Sequence, residues 1–252
     1  MPGQYTDSRG WHVPFVAVLR PSLSLLMRRK WQGMENVPRE GGVILVANHV
    51  TELDSLTMAH FVYMCRRWPA FMIKDGVFKV PVLGKMLLKV GQIPVARGGA
   101  EAARSLKYAE QALADGAAII IFPEGTCTRD PEQWPMVAKT GVARLALKTG
   151  KPVIPIAQFG AHKILAYKET RPHIFPRKLV RMVAGPPVDL SAYEGKPLTA
   201  TNLNAATIKI MADITELLTT IRDGKPPAEP YDMRKARKQQ AAGDDDADRA
   251  GT

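Results

Sequence analysis

Five continuous apolar runs limit what this chain can fold into: "GVILVAN" (42–48), "AFMIK" (70–74), "QIPVA" (92–96), "AAIIIF" (117–122) and "PVIPIAQF" (152–159). None alternates apolar with polar residues, as a strand with one wet face does, so each reads as a strand buried on both faces. The stretches between them read as helices: "ELDSLTMAHFVYMCRR" (52–67), a segment near 78–89, "GAEAARSLKYAEQALADG" (99–116) and "VAKTGVARLALKTG" (137–150). Gly116 is placed to stop the third of these. "KLVRMVAG" (178–185) adds a late strand and "NLNAATIKIMADITELLTTIR" (202–222) a closing helix. Strands alternating with helices predict an α/β fold: a mixed, mostly parallel central sheet flanked by helices. The core domain is expected over 32–222.

Two extensions flank it. Residues 1–31 include "WHVPFVAVLRPSLSLLMRRKW" (11–31), apolar, aromatic at both ends and basic at its close. A bilayer span needs roughly 20 uninterrupted apolar residues, and Arg20 with Pro21 interrupts this run. Two short amphipathic helices are expected instead, forming a membrane-binding arm with Arg28, Arg29 and Lys30 near lipid phosphates and Trp11 and Trp31 at headgroup level. Residues 223–252, rich in proline and charge and poor in apolar residues, read as a disordered tail. The opening residues are polar and show no secretory leader.

Charge narrows the partners. The formal net charge of +11 calls for anionic ones. Nucleic acid is not expected, because zinc-ligand spacing, an RNP-like aromatic motif and a basic heptad region are all missing from the sequence. An anionic membrane surface fits the same charge. Cys65 and Cys127 are the only cysteines, so no disulfide framework is implied.

"NHVTELD" (48–54) follows the first strand. Thr51 and Asp54 match a capping box, with Thr51 as N-cap and Asp54 three residues on. The same residues suit chemistry. With a turn around 49–51, His49 sits at the strand's carboxyl end and Asp54 points back from the first helical turn. A carboxylate on one imidazole nitrogen fixes the tautomer and leaves the other nitrogen to take a proton from a hydroxyl. The two readings are compatible.

Other polar residues share that position. "GQIPVARGG" (91–99) places Arg97 after a short strand, and "IFPEGTCTR" (121–129) places Glu124 and Arg129 after another. In a parallel sheet these strand ends lie on one edge, where open α/β sheets bind ligands.

These motifs, in this order, resemble those of the glycerolipid acyltransferase family, over roughly residues 30–220. "NHVTELD" is similar to its His-x4-Asp motif, "GQIPVARGG" to its phosphate-binding arginine motif, "FPEGTCTR" to its Glu-Gly motif and "VIPIAQFG" to its later proline motif. The resemblance implies His49 as general base and Asp54 as its orienting partner. It implies Arg97 on the acceptor phosphate, with Glu124, Gly125 and Thr126 helping to bind the glycerol phosphate backbone. Lys74 and Lys139 fall where the family often carries basic residues near the site. One position departs from the family's pattern: Cys127 stands where Glu-Gly-Thr-Arg has its arginine, and Arg129 follows two residues later. Either the phosphate contact moves to Arg129 or the acceptor headgroup differs.

The implied reaction moves a fatty acyl group from acyl-CoA or acyl carrier protein to the free hydroxyl of a lysophospholipid, without a metal or cofactor, on the cytoplasmic face of the cell membrane. The acceptor could instead be glycerol-3-phosphate or another phosphoglycolipid. Alternatives on the same residues are Cys127 as a nucleophile with His49 as its base, thioester hydrolysis, and a non-catalytic lipid-binding protein.

Overall fold

The computed structural model describes residues 9–95 and 99–237. Seven strands form one sheet in the order β1-β7-β6-β2-β5-β3-β4. They are β1 (Met27–Gln32), β2 (Val43–Ala47), β3 (Pro69–Lys74), β4 (Ile93–Val95), β5 (Ala118–Ile121), β6 (Val153–Phe159) and β7 (Lys178–Ala184). Strands β4, β3, β5, β2 and β6 run parallel. Strand β7 is antiparallel to β6, and β1 is parallel to β7. The sheet is therefore mixed and mostly parallel.

The continuous apolar runs occupy its middle. Every residue of β2 is buried, as is β6 up to Gln158. Alternate β2 residues feed two cores. Ile44 and Val46 pack with Leu113 of α5 (Gly99–Ala114), Leu145 of α6 (Gly141–Thr149) and Ile210 of α7 (Ala200–Thr219). Val43, Leu45 and Ala47 pack on the other face with Met58 and Phe61 of α2 (Asp54–Met64) and Leu23 of α1 (Arg9–Leu26). Helices thus cover both faces, which is what strands without a polar face require. Helix α5 ends at left-handed Gly116 (φ +87°), where the Ala117 amide donates back to the Ala112 carbonyl at 2.9 Å.

Several elements differ from the sequence expectation. Residues 9–26 form one helix, α1, which continues through Pro21. Proline removes one helical bond there, but Ala17, whose carbonyl is left without it, and Arg20 to Ser22 are exposed, so solvent can serve the freed group. The basic cluster is not helical. Arg28, Arg29 and Lys30 lie on β1, the sheet's edge strand, where strand pairing with β7 outweighs helical continuation. Trp31 is half-buried, edge-on to His60 (5.0 Å) and Phe61 (5.5 Å), and Arg29 donates to His60 Nε2 at 3.2 Å. Among the described residues no helix is long and apolar enough to cross a membrane.

The segment near 78–89 is two short helices, α3 (Asp75–Phe78) and α4 (Leu83–Lys89). Residues 137–140 extend into the loop before α6. Of the expected tail, the part up to Arg237 is described, and it is tied back where the Val137 amide donates to the Tyr231 carbonyl at 3.0 Å. Residues 238–252 lie outside the described residues.

Candidate active site

His49 follows β2 at the carboxyl edge of the sheet, between the ends of β5 and β6. Its backbone is clamped by the turn after β5. The His49 amide donates to Glu124 Oε1 at 3.1 Å, and the Thr128 amide donates to the His49 carbonyl at 2.6 Å. On the β6 side, Asn48 and Gln158 extend the ladder with side chains. Asn48 Nδ2 donates to the Gln158 carbonyl (3.0 Å), the Gln158 amide to Asn48 Oδ1 (2.9 Å), and Gln158 Nε2 to the Asn48 carbonyl (2.9 Å). Thr57 of α2 donates to Gln158 Oε1 at 3.1 Å. Asn48, Thr57 and Gln158 are buried, so their bonds act in a medium where breaking one leaves a polar group unpaired.

The imidazole is oriented by Asp54. Its Oδ2 lies 3.2 Å from His49 Nδ1 and also accepts the amides of Val50 (2.5 Å) and Thr51 (2.8 Å). Two backbone N–H donors on one oxygen suit a carboxylate, and a carboxylate facing the ring draws the imidazole proton to Nδ1. Nε2 then carries the lone pair. The capping box forms only in part: the Thr51 amide donates to Asp54 Oδ2, and the Thr51 hydroxyl, while donating to the Leu165 carbonyl (2.6 Å), accepts the Leu53 amide at 3.5 Å and not the Asp54 amide.

The ring of His49 stacks on Phe122 at 4.2 Å with an interplanar angle of 17°. Its side chain keeps 14% exposure. Facing Nε2 at 3.5 Å is Cys127 Sγ. Burial, reinforced by Glu52 and Asp54, pushes this thiol up to about 12, so it is neutral at physiological pH. A neutral S–H is a weak donor, and a substrate hydroxyl can displace it from Nε2.

The remaining expected residues fall as follows. Glu124 is 4% exposed, and both its oxygens are taken by backbone amides, since Oε2 accepts from Met136 at 2.9 Å. Contact with a ligand would require one of those bonds to be given up. Burial raises Glu124 to about 8, against the opposing pull of the two amide bonds. Gly125 is left-handed (φ +73°), and a Cβ there would sit 2.8 Å from Lys139 Nζ, so the lysine arches over this turn. The Lys139 amide is itself anchored to the Pro123 carbonyl at 2.9 Å. Thr126 is half-buried in the same turn. Arg129 donates to the Tyr167 hydroxyl, and its guanidinium lies 4.0 Å from the Tyr167 ring centroid. Lys74 closes β3, the neighbour of β5. Arg97 lies outside the described residues.

Four supporting residues are not singled out by the sequence. Asn48 and Gln158 lie within "NHVTELD" and "VIPIAQFG", marked only by being polar at the ends of apolar runs. Trp134 and Arg222 act from further away. The Thr128 hydroxyl donates to the Trp134 carbonyl (2.7 Å), and Arg222, just beyond α7, lies 4.0 Å over the Trp134 ring and donates to the carbonyls of Glu132 (2.8 Å) and Gln133 (3.2 Å). Among the described residues, no group of three or more His, Cys, Asp and Glu side chains is placed to hold a metal ion.

The acyltransferase family model matches residues 28–158, which include His49, Asp54, Glu124 and Cys127. A chloroplastic 1-acyl-sn-glycerol-3-phosphate acyltransferase from Brassica napus is 32% identical over 155 residues, covering 60% of this chain and 43% of that protein. A 1-acyl-sn-glycerol-3-phosphate acyltransferase from Borreliella burgdorferi is 30% identical over 131 residues, covering 52% of this chain and 50% of the relative. The match thus spans half or less of the length of these curated relatives. The crystal structure of the 1-acyl-sn-glycerophosphate acyltransferase PlsC from Thermotoga maritima superposes with a TM-score of 0.65 at 22% identity, covering 89% of this chain and 86% of that one, a likeness of fold.

Proposed function

The chain belongs to the acyltransferase family, and we propose that it moves a fatty acyl group from a thioester donor, acyl-CoA or acyl carrier protein, to the free hydroxyl of 1-acylglycerol-3-phosphate, giving phosphatidic acid. The observation that carries this reading is the His49 imidazole, held through Nδ1 by Asp54 with Nε2 turned to a neutral, displaceable thiol. His49 takes the acceptor's hydroxyl proton on Nε2 as the oxygen attacks the thioester carbonyl. Asp54 steadies the imidazolium that results. Collapse of the tetrahedral intermediate breaks the carbon–sulfur bond, and the departing thiolate takes the proton back from His49.

The raised pKa of Cys127 favours this direct transfer over an acyl-cysteine route, which needs a thiolate. In this reading the acceptor phosphate meets Arg97 and the Lys139 ammonium arching over Gly125, with Arg129 and Lys74 adding positive charge. Glu124 holds the turn that presents them, and Gly125 and Thr126 line it. The enzyme works as a peripheral or monotopic protein on the cytoplasmic face of the membrane, with the exposed Leu25 of α1 in the interface.

Two observations favour a different acceptor, another phosphoglycolipid or glycerol-3-phosphate: a neutral Cys127 stands beside the base, and Arg129 is engaged with Tyr167. The test is release of free CoA from palmitoyl-CoA by purified protein in detergent, with and without each acceptor, and mass analysis of the lipid product. Release that depends on lysophosphatidate supports the first reading. Release without acceptor would make the protein a thioesterase, and no turnover with either donor class would leave a lipid-binding protein.

A further inference from the structure

The segment 75–91, "DGVFKVPVLGKMLLKVG", leaves the sheet after Lys74, at the carboxyl edge that also carries His49. We propose that its turn, residues 79–89, is a membrane-docking tip that enters an anionic lipid leaflet. The proposal goes beyond acyl transfer and does not rest on it.

Exposure is concentrated here. Val80 is 48% exposed, Val82 79%, Leu83 37% and Leu88 49%, and Pro81 is exposed between them. Single exposed apolar residues are ordinary on a protein surface, whereas a cluster on one short turn marks a contact site.

The turn is built to hold those side chains outward. The Leu83 amide donates to the Pro81 carbonyl at 2.7 Å, which closes a γ-turn centred on Val82, with φ +67° and ψ −57°. This is the strained hand of the γ-turn, and a β-branched residue avoids it. Rigid support comes from behind. The Gly84 amide donates to the Val80 carbonyl and the Met86 amide to the Val82 carbonyl, both at 2.9 Å. At Gly84 helices α3 and α4 approach so closely that a Cβ would lie 1.9 Å from the Phe78 carbonyl oxygen. Backbone strain at an exposed apolar tip has no stabilising return within the domain, which points to a contact outside it.

Charge selects the partner. Lys79, Lys85 and Lys89 are all exposed around the apolar residues, and residues 76–100 contain no aspartate or glutamate. Apolar side chains at the tip of a turn, ringed by ammonium groups, match a surface whose phosphates lie above a hydrocarbon layer. Helices of four and seven residues are too short to span that layer, so docking is confined to one leaflet. A lipid substrate would then leave the bilayer beside the edge of the sheet that holds His49.

The test places a nitroxide on Val82→Cys and, separately, on Ile208→Cys, a 69% exposed position on α7. The native thiols Cys65 and Cys127 are buried and pushed up to about 12, so the introduced thiol is the one labelled. Vesicles of phosphatidylcholine with about one-third phosphatidylglycerol carry the surface charge that draws the lysines. On their addition, the label at position 82 is expected to gain collision with oxygen and lose collision with a water-soluble nickel complex, while the label at position 208 keeps its aqueous values. Leu88→Cys serves as a second tip position if the first variant does not fold. Vesicle-bound protein whose tip labels stay aqueous would overturn the proposal and leave this face to a protein partner. Failure of the full-length protein to bind the vesicles would overturn it as well.

Discussion

Replacing Glu124 by alanine distinguishes a brace from a substrate contact. The side chain is 4% exposed and accepts the amides of His49 at 3.1 Å and Met136 at 2.9 Å. Alanine leaves two buried N–H groups without an acceptor, at about 1–3 kcal/mol each, so roughly 2–6 kcal/mol is at stake before entering water relieves part of it. A loss of about 3 kcal/mol lowers the Tm of a domain this size by roughly 6–12 °C. The same two bonds seat the turn against His49 and hold the groups that face the acceptor, so kcat falls and acceptor KM rises together with the loss of stability. Thermal unfolding and steady-state kinetics on one preparation read both quantities. An unchanged Tm with a raised acceptor KM would instead make Glu124 a ligand contact and not a brace.

The pH dependence of stability gives an independent check. Burial raises Glu124 from 4.5 to about 8, so between those values the folded chain holds a proton that the unfolded chain has released. The stability linked to that proton is complete below about 4.5 and is lost as pH rises through about 8. The urea midpoint of the native protein should therefore decline across this window more steeply than that of Glu124→Gln, which has no proton to lose.

Three other substitutions probe neighbouring parts of the site. Cys127→Ala should keep kcat within about fivefold, because the thiol only covers Nε2; a loss beyond about a hundredfold, or recovery of acyl-Cys127 from the native enzyme, would require the covalent route instead. Gly125→Ala forces a left-handed alanine at about 1–2 kcal/mol and displaces Lys139 from 2.8 Å; acceptor KM should rise more than donor KM. Arg222→Met removes the guanidinium over Trp134 and two bonds to carbonyls, so it should cost about 1–2 kcal/mol and lower kcat through the 132–136 loop, with KM little changed; normal kcat in a destabilised variant would limit Arg222 to a structural role.

The central strands were legible because β2, β5 and β6 are fully or nearly fully buried, and burial on both faces leaves a simple record, an unbroken apolar run. The contact between His49 and Asp54 was legible because they are close in sequence and the turn between them is short. Strand β1 was not legible. "MRRKWQ" has the charge of a helical end and becomes a strand only because β7, about 150 residues later, pairs with it. The Thr51 capping box is only partly formed for a related reason: the Leu165 carbonyl, distant in sequence, takes the hydroxyl's proton and sets its direction, so the Leu53 amide reaches it only at 3.5 Å. Glu124 shows the same limit within the site. Its motif marks it for contact with a ligand, yet the structure puts it under the His49 backbone, because Met136 supplies an amide that the sequence around Glu124 does not reveal. Arg222 lay hidden for want of any pattern linking the end of α7 to the turn after β5.

The most direct measurement of the account is the rate of CoA release from palmitoyl-CoA with lysophosphatidate present, for the native protein and for His49→Ala, alongside their Tm values. Loss of a general base is expected to slow turnover by about 10²–10⁴-fold with Tm held, since His49 contributes to the clamp through its backbone. Acceptor-dependent turnover in His49→Ala within a few-fold of the native rate would contradict the claim that this imidazole takes the acceptor's proton.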